Sequence, residues 1–170
     1  MSSVYICNLV DMPRHVSALS ASHLISIITP AEMPATPPGI HPDNHLKVAC
    51  HDIIEPYPDA VHPDESHVNA VIEFARGWDR RAPMVVHCWA GVSRSSAAAL
   101  TVACLHADAS DMAIAKRLRA ASPHAQPNTL IVEIADRLLD RNGALISAVE
   151  SIGFGVIPQR TPLVELNLDF

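Results

Sequence analysis

The stretch SRSSAAALTVACLHA, residues 93–107, most constrains how this chain can fold. It has the pattern of a helix that is apolar on nearly every side, and such a helix must be buried among other elements. Directly before it, PMVVHC, residues 83–88, is a short run typical of a central β-strand. Together they predict a buried strand that passes through a tight loop into a buried helix.

The rest of the chain alternates between apolar runs and helical patterns. Predicted strands cover residues 4–10, 23–28 and 45–54, and predicted helices cover about 64–78, 110–121 and 128–140. A short helical turn joins the first two strands, and a proline-rich loop spans 30–44. This alternation predicts an α/β fold with a central, largely parallel sheet flanked by helices.

The composition indicates one globular domain. With 170 residues, of which 49% are hydrophobic and 18% charged, the chain is long enough to bury a sizeable core. No apolar run reaches the roughly 18 to 20 residues of a membrane span, and the N-terminus lacks the pattern of a secretory signal. Four well-separated cysteines favour a reduced compartment. We therefore expect a cytoplasmic protein.

Charge and histidine content bear on partners and cofactors. A net charge of −6 without a Lys/Arg cluster argues against binding to nucleic acid or to an anionic membrane surface. The histidine pairs His41/His45 and His62/His67 lie in Pro/Asp-rich segments that would not aim them at one metal, so we expect solvated loop histidines. No metal site and no cofactor are predicted.

The loop between the predicted strand and the buried helix is suited to an anion. Unpaired N–H groups at a helix N-terminus carry partial positive charge, and Gly91 allows the backbone to curl so that successive N–H groups converge. The expected phosphate cradle consists of the backbone of Trp89, Ala90, Gly91, Val92, Ser93 and Arg94. Trp89 is either a wall of the pocket or core filling.

Four side chains around this loop are candidates for chemistry. The guanidinium of Arg94 can hold two phosphate oxygens at once. Cys88, at the base of the cradle, is expected to ionise below the usual thiol range and to act as a nucleophile. Ser95 can donate a hydrogen bond to the sulfur when it leaves, and His87 can fix the loop by a side-chain hydrogen bond.

HCWAGVSRS, residues 87–95, resembles the HC-x5-R-S/T signature of the cysteine-dependent protein tyrosine phosphatases. Its mid-chain position resembles the dual-specificity branch, and residues from about 4 to 140 are similar to small bacterial tyrosine phosphatase-like proteins. The resemblance implies a tyrosine/dual-specificity phosphatase-like fold in a single phosphatase domain, residues 1–170. It also implies that Cys88 attacks phosphorus and that water then hydrolyses a phosphocysteine. In resembling proteins the PN segment braces the phosphate loop, while the pattern itself makes Asn128 a helix N-cap.

Such a reaction needs a general acid for the leaving oxygen, which the resemblance assigns to an aspartate upstream of the cysteine. The candidates are Asp43, Asp52, Asp59 and Asp64. Asp64 is explained as the N-cap of the following helix, and Asp43 and Asp59 lie in proline-rich turns. Asp52 ends a predicted buried strand, where a polar residue needs a reason. Asp52 is therefore the first candidate and Asp59 the next.

Several functions remain open at this point. The expected substrate is a phosphorylated protein or a small aryl phosphate, since the loop lacks the Lys or Arg that phosphatases of inositol lipids tend to place there. The alternatives are a rhodanese-like sulfurtransferase, an arsenate reductase and a catalytically weak phosphate-binding module. Cys50 is the first candidate, ahead of Cys104, for a redox partner of Cys88.

Residues from about 143 to 170 form a C-terminal extension expected to pack on the domain or on a partner chain. In LVELNLDF, Val164, Leu166, Leu168 and Phe170 alternate with polar residues, which predicts a strand. That strand is expected at a sheet edge or between two chains of a homodimer. Removal of 156–170 is expected to change stability or oligomeric state and to spare the chemistry.

Overall fold

The computed structural model describes residues 3–156 and 158–170 and contains five strands and six helices. The strands are β1 Ser3–Cys7, β2 His23–Ile28, β3 His45–Ala49, β4 Met84–His87 and β5 Val164–Asn167. The helices are α1 Met12–Leu19, α2 Glu65–Arg76, α3 Arg94–His106, α4 Asp111–Ala121, α5 Thr129–Leu138 and α6 Ala144–Ser151. Two single 3₁₀ turns, Pro30–Glu32 and Pro42–Asn44, lie in the loop before β3.

The strands form one sheet in the order β3-β2-β4-β1-β5. The pairs β2/β3, β2/β4 and β1/β4 are parallel, and β5 alone runs antiparallel, beside β1. The α/β fold class with a largely parallel sheet is thereby confirmed. Because parallel strands end at the same edge of a sheet, the carboxyl ends of β2, β3 and β4 lie together.

Side-chain alternation in the strands separates two apolar clusters. Met84 and Val86 of β4 face the main core, which also contains α2, α3, α5 and most of the buried aliphatic side chains. Val85 points to the opposite face, into a smaller cluster under α1. The predicted burial of the apolar helix is confirmed, because every residue of α3 from Arg94 to Cys104 is buried. No helix in the described part of the chain is long and apolar enough to cross a membrane.

Two predicted strands end early. β1 stops at Cys7 instead of residue 10, and β3 stops at Ala49 instead of residue 54. Beyond β3, the N–H of His51 donates to the carbonyl of Val61, so the chain turns away from the sheet into a surface loop. Asp52 therefore lies on the surface, three residues after the strand, and does not end a buried strand. The short turn predicted after β1 is an eight-residue helix, α1.

The C-terminal extension belongs to the same body. Helix α6 packs on α4 and α5, and β5 completes the sheet beside β1, with the predicted burial of Val164, Leu166 and Leu168. Phe170 departs from the pattern: it is exposed, and the guanidinium of Arg117 lies 3.5 Å from the centre of its ring. The strand occupies a sheet edge within one chain.

Candidate active site

Cys88 lies directly after β4, at the edge where the parallel strands end, and the loop that follows it closes tightly over the sulfur. Gly91 has a φ of +73° and its N–H donates to Cys88 Sγ at 3.3 Å. A side chain at Gly91 would place its Cβ 2.7 Å from the carbonyl carbon of Cys7. Both the backbone angle and this close approach require glycine. The hydroxyl of Ser95 lies 3.1 Å from the same sulfur, as its position in the sequence predicts.

The carbonyl groups of this loop point outward and are held by other segments. Those of Trp89, Ala90, Val92 and Ser93 accept from the N–H of Leu9, the hydroxyl of Thr161, and the N–H groups of Gln126 and Asn128, at 3.1, 2.6, 3.0 and 3.4 Å. In a trans peptide the N–H points opposite to the C=O. Each outward carbonyl therefore turns the next N–H toward the inside of the loop. The result is a concave set of N–H groups above the sulfur, suited to an anion.

Arg94 begins α3 beside this cradle and is buried, with 4% of its surface exposed. Its Nη1 donates to the carbonyl of Cys50 at 2.7 Å and to Thr29 Oγ1 at 3.4 Å. The Nε is buried and has no hydrogen-bond partner among the described residues. A buried donor without a partner costs roughly 1–3 kcal/mol, so it marks a site that awaits an acceptor.

Asp52 is held against the rim of the cradle by two hydrogen bonds to its Oδ1. Ser93 Oγ donates at 2.7 Å, and Asn128 Nδ2 donates at 2.9 Å. Asn128 also caps α5, because its Oδ1 accepts from the N–H of Ile131 at 3.1 Å, so the predicted N-cap is confirmed. One side chain thus ties the start of α5 to Asp52.

The other three candidate aspartates do not line the cleft above Cys88. Asp64 forms the predicted N-cap of α2, because its Oδ1 accepts a hydrogen bond from the N–H of His67. Asp43 lies in the exposed 3₁₀ turn before β3, and Asp59 lies in an exposed turn with a φ of +61°. Among the four, the structure brings only Asp52 to the cradle.

A chain of hydrogen bonds leads from the backbone carbonyl of Cys88 through His87 into the protein interior. The sequence predicted the part of His87 but not that of the residues beyond it. The chain links Cys88 O to His87 Nδ1 at 3.1 Å, His87 Nε2 to Ser26 Oγ at 2.6 Å, Ser26 Oγ to His45 Nε2 at 2.8 Å, and His45 Nδ1 to Thr36 Oγ1 at 2.8 Å. The middle three residues are buried. His45, expected as a solvated loop histidine, is 8% exposed, and that expectation is wrong because His45 is the first residue of β3 and its ring is held between Ser26 and Thr36.

The chemistry of the end groups fixes the direction of this chain. A carbonyl only accepts, so His87 donates from Nδ1 and accepts at Nε2 from the hydroxyl of Ser26. Ser26 then accepts from His45 Nε2, and the hydroxyl of Thr36 donates to His45 Nδ1. Burial lowers the pKa of both His45 and His87 to about 4, so both rings are neutral at pH 7. We call Thr36, His45, Ser26 and His87 the buried relay.

Two further thiols lie near Cys88. Burial raises the pKa of Cys50 to about 11 and that of Cys7 to about 12, and negative charge on Cys88 contributes in the same direction to both. The sequence did not indicate that Cys7 is near Cys88; it is so because β1 pairs with β4 and Cys7 lies opposite His87. Cys104 lies toward the far end of α3, and its thiol donates to Asp111. All four cysteines are free.

The cradle opens into a cleft of about 1300 Å³. Its walls come from three segments besides the cradle: residues 52–57 after β3, residues 126–129 at the start of α5, and residues 149–154 around the end of α6. Trp89 forms part of the wall and is 59% exposed, so it does not fill the core. The cradle is thus continuous with a much larger recess.

No family model and no curated protein match this sequence. Solved structures do resemble the fold. Human DUSP28 superposes with a TM-score of 0.64 and 14% identity, covering 83% of this chain and 94% of that one. DUSP15 superposes with a TM-score of 0.58 and 20% identity, covering 91% and 94%. These structural neighbours are dual-specificity phosphatases, and the likeness shows that this chain has their fold.

Proposed function

We propose that this protein is a phosphatase that hydrolyses phosphate monoesters, with protein phosphotyrosine or another aryl phosphate as substrate. The observation that carries the proposal is the buried Arg94, whose Nη1 is fixed by Cys50 while its Nε has no partner beside a cradle of N–H groups. A phosphate dianion supplies the missing acceptors and the opposite charge. The fold shared with dual-specificity phosphatases supports the same proposal.

In the first step Cys88 is the nucleophile. Its thiolate attacks phosphorus, the S–P bond forms, and the bond between phosphorus and the ester oxygen breaks. Arg94 and the inward N–H groups, including that of Gly91, stabilise charge on the transferring phosphoryl group. Asp52 gives its proton to the departing oxygen. Asp52 is exposed and lines the cleft, and within the described residues its Oδ2 makes no hydrogen bond.

In the second step water attacks the phosphocysteine. Asp52, now a carboxylate, takes a proton from the water as the new P–O bond forms. The S–P bond breaks, and its electron pair returns to the sulfur of Cys88. The Ser95 hydroxyl, 3.1 Å from that sulfur, donates a hydrogen bond to the departing thiolate. Phosphate leaves, and the resting enzyme is restored.

Hydrolysis of para-nitrophenyl phosphate, compared with thiosulfate and arsenate turnover, tests the proposal. We expect measurable phosphatase turnover by the wild type and background rates with the other two substrates. Cys88→Ser should abolish turnover and still bind vanadate, because the cradle remains. Cys104→Ser, toward the other end of α3, is the matched control and should keep turnover. Sulfur transfer or arsenate reduction exceeding phosphatase activity would overturn the proposal, as would full activity of Cys88→Ser.

A further inference from the structure

The cleft is larger than a phosphorylated side chain requires. Pockets that enclose whole drug-sized ligands measure roughly 300–1000 Å³, and this one measures about 1300 Å³. Cys88 occupies only its base, while residues 52–57 and 149–154 extend the walls away from the sulfur. Such a recess has room for residues on both sides of a phosphorylated one. Its size therefore favours a segment of a protein over a small phosphate ester.

The walls of the cleft expose large apolar side chains. Trp89 is 59% exposed, Tyr57 70%, Ile54 57% and Phe154 89%, and all four line the cleft. Contiguous exposed apolar surface on a soluble domain marks an interaction site, and Trp and Tyr are the side chains that contribute most to such sites. This wall suits apolar residues that flank the phosphorylated one.

Outside the cradle, the charged side chains that line the cleft are all negative. Two exposed carboxylates, those of Glu55 and Glu150, line it in addition to Asp52, and neither belongs to any ion pair of the described residues. Among the described lining residues, Arg94 is the only cation, and it is buried at the base. Acidic groups beyond the phosphate would meet repulsion here, and basic groups would meet attraction.

We propose that the cleft selects phosphotyrosine segments whose neighbouring residues are apolar and basic, with Glu55 and Glu150 as the specificity-determining charges. The proposal rests on the proposed phosphatase function and names the substrate class of the same site. A polyanionic inositol lipid fits the cleft poorly, because its additional phosphates would face these two carboxylates and no second cation. The apolar wall and the acidic rim together define the recognised sequence.

Matched phosphotyrosine peptides test this proposal. One peptide carries Leu and Arg beside the phosphotyrosine, a second carries Leu and Glu at the same positions, and para-nitrophenyl phosphate serves as the substrate without flanks. For the wild type we expect kcat/KM to be roughly tenfold higher on the basic peptide than on the acidic one at low salt, falling as salt is added. Glu55→Lys and Glu150→Lys should each bring that ratio close to one, because the introduced charge cancels the effect of the remaining carboxylate. Glu133→Lys, an equal charge reversal on the exposed face of α5, should leave it unchanged.

The apolar wall is tested separately. Phe154→Ala should raise KM for the basic peptide several-fold more than for para-nitrophenyl phosphate, whereas Val10→Ala, at another exposed position, should affect neither. If para-nitrophenyl phosphate is turned over but the two peptides are equivalent, or the acidic one is preferred, the inference is wrong and the phosphatase function stands. Faster turnover of an inositol phospholipid in mixed micelles than of the basic peptide would also show that the inference is wrong while the phosphatase function stands. No turnover of any substrate overturns the function and this inference together.

Discussion

The Oγ1 of Thr161 donates a hydrogen bond of 2.6 Å to the carbonyl of Ala90, which connects the C-terminal segment directly to the phosphate-binding loop. A second contact holds that segment in place, because Arg160 forms an ion pair of 2.6 Å with Asp11. We therefore no longer expect the removal of residues 156–170 to leave the chemistry unaffected. The segment contributes one of the outer hydrogen bonds that turn the loop's N–H groups inward.

Replacement of Thr161 by Val tests this coupling. The change removes the hydroxyl and keeps the shape, and a hydrogen bond of this kind contributes about 1 kcal/mol, or about fivefold. We expect kcat/KM on para-nitrophenyl phosphate to fall several-fold and vanadate to bind more weakly. Thr101→Val removes a comparable hydroxyl bond inside α3, to the carbonyl of Ala97, and should change stability without changing vanadate affinity. Equal vanadate affinity in wild type and Thr161→Val would contradict the coupling.

Asp52→Ala separates proton donation from nucleophilic attack. The thiol and the cradle remain, but the leaving oxygen no longer receives a proton, a loss of about 10²–10⁴-fold for general acids. The effect should be large for a phosphotyrosine peptide and smaller for para-nitrophenyl phosphate, whose leaving group needs little protonation. Steady-state kinetics on the two substrates check this. Asp59→Ala is the control, since Asp59 lies outside the cleft. A larger loss in Asp59→Ala than in Asp52→Ala would reassign the general acid.

The buried relay makes stability depend on pH. In the folded protein the pKa values of His45 and His87 are about 4, below the usual value of 6.5, so the unfolded chain binds more protons between those values. Their contribution to stability is complete above pH 6.5 and is lost as the pH falls toward 4. Urea unfolding at several pH values measures this. His45→Gln should lower stability at pH 7 and flatten its decline below pH 6.5, whereas His41→Gln, at an exposed position, should retain the wild-type decline.

Mild peroxide should inactivate the protein reversibly through Cys88. A sulfenic acid on its sulfur, once formed, can condense with a neighbouring thiol, which releases water and forms a disulfide. We expect Cys50 to form this disulfide with Cys88. Reduction with dithiothreitol should then restore turnover. Mass spectrometry of the oxidised protein identifies the linked residues. A disulfide between Cys88 and Cys7, or none at all, would remove Cys50 from this role, and Cys50→Ser shows whether protection against further oxidation depends on it.

The parts of this protein that could be predicted from sequence are those in which local pattern and burial agree. The strand and helix on either side of Cys88 are both mostly apolar, so their burial and the loop between them follow from a few consecutive residues. The N-caps of α2 and α5 were likewise predictable, because Asp64 and Asn128 act on N–H groups three residues away. For both caps, the spacing between residues in the sequence is enough to predict the interaction.

The parts that could not be predicted depend on segments far apart in the chain. The buried relay brings together a loop residue, Thr36, with residues of β2, β3 and β4, and Thr161 reaches Ala90 across 71 positions. Ser26, a polar residue within an apolar strand, was the one local signal of the relay. The early end of β3 was missed because apolar residues continue past Ala49, whereas the surface loop is set by the hydrogen bond between His51 and Val61.

The position of β1 in the sheet has a consequence for how the chain is made. β1 covers residues 3–7, yet both of its neighbours come from residues 84–87 and 164–167, so an apolar strand leaves the ribosome long before either partner exists. Until then its backbone groups and its side chains Val4 and Ile6 have no native partners, a state that favours association with other chains. Its second edge stays open until β5 has been synthesised. While residues 8–83 are synthesised, β1 is thus without either of the strands that pair with it in the folded chain.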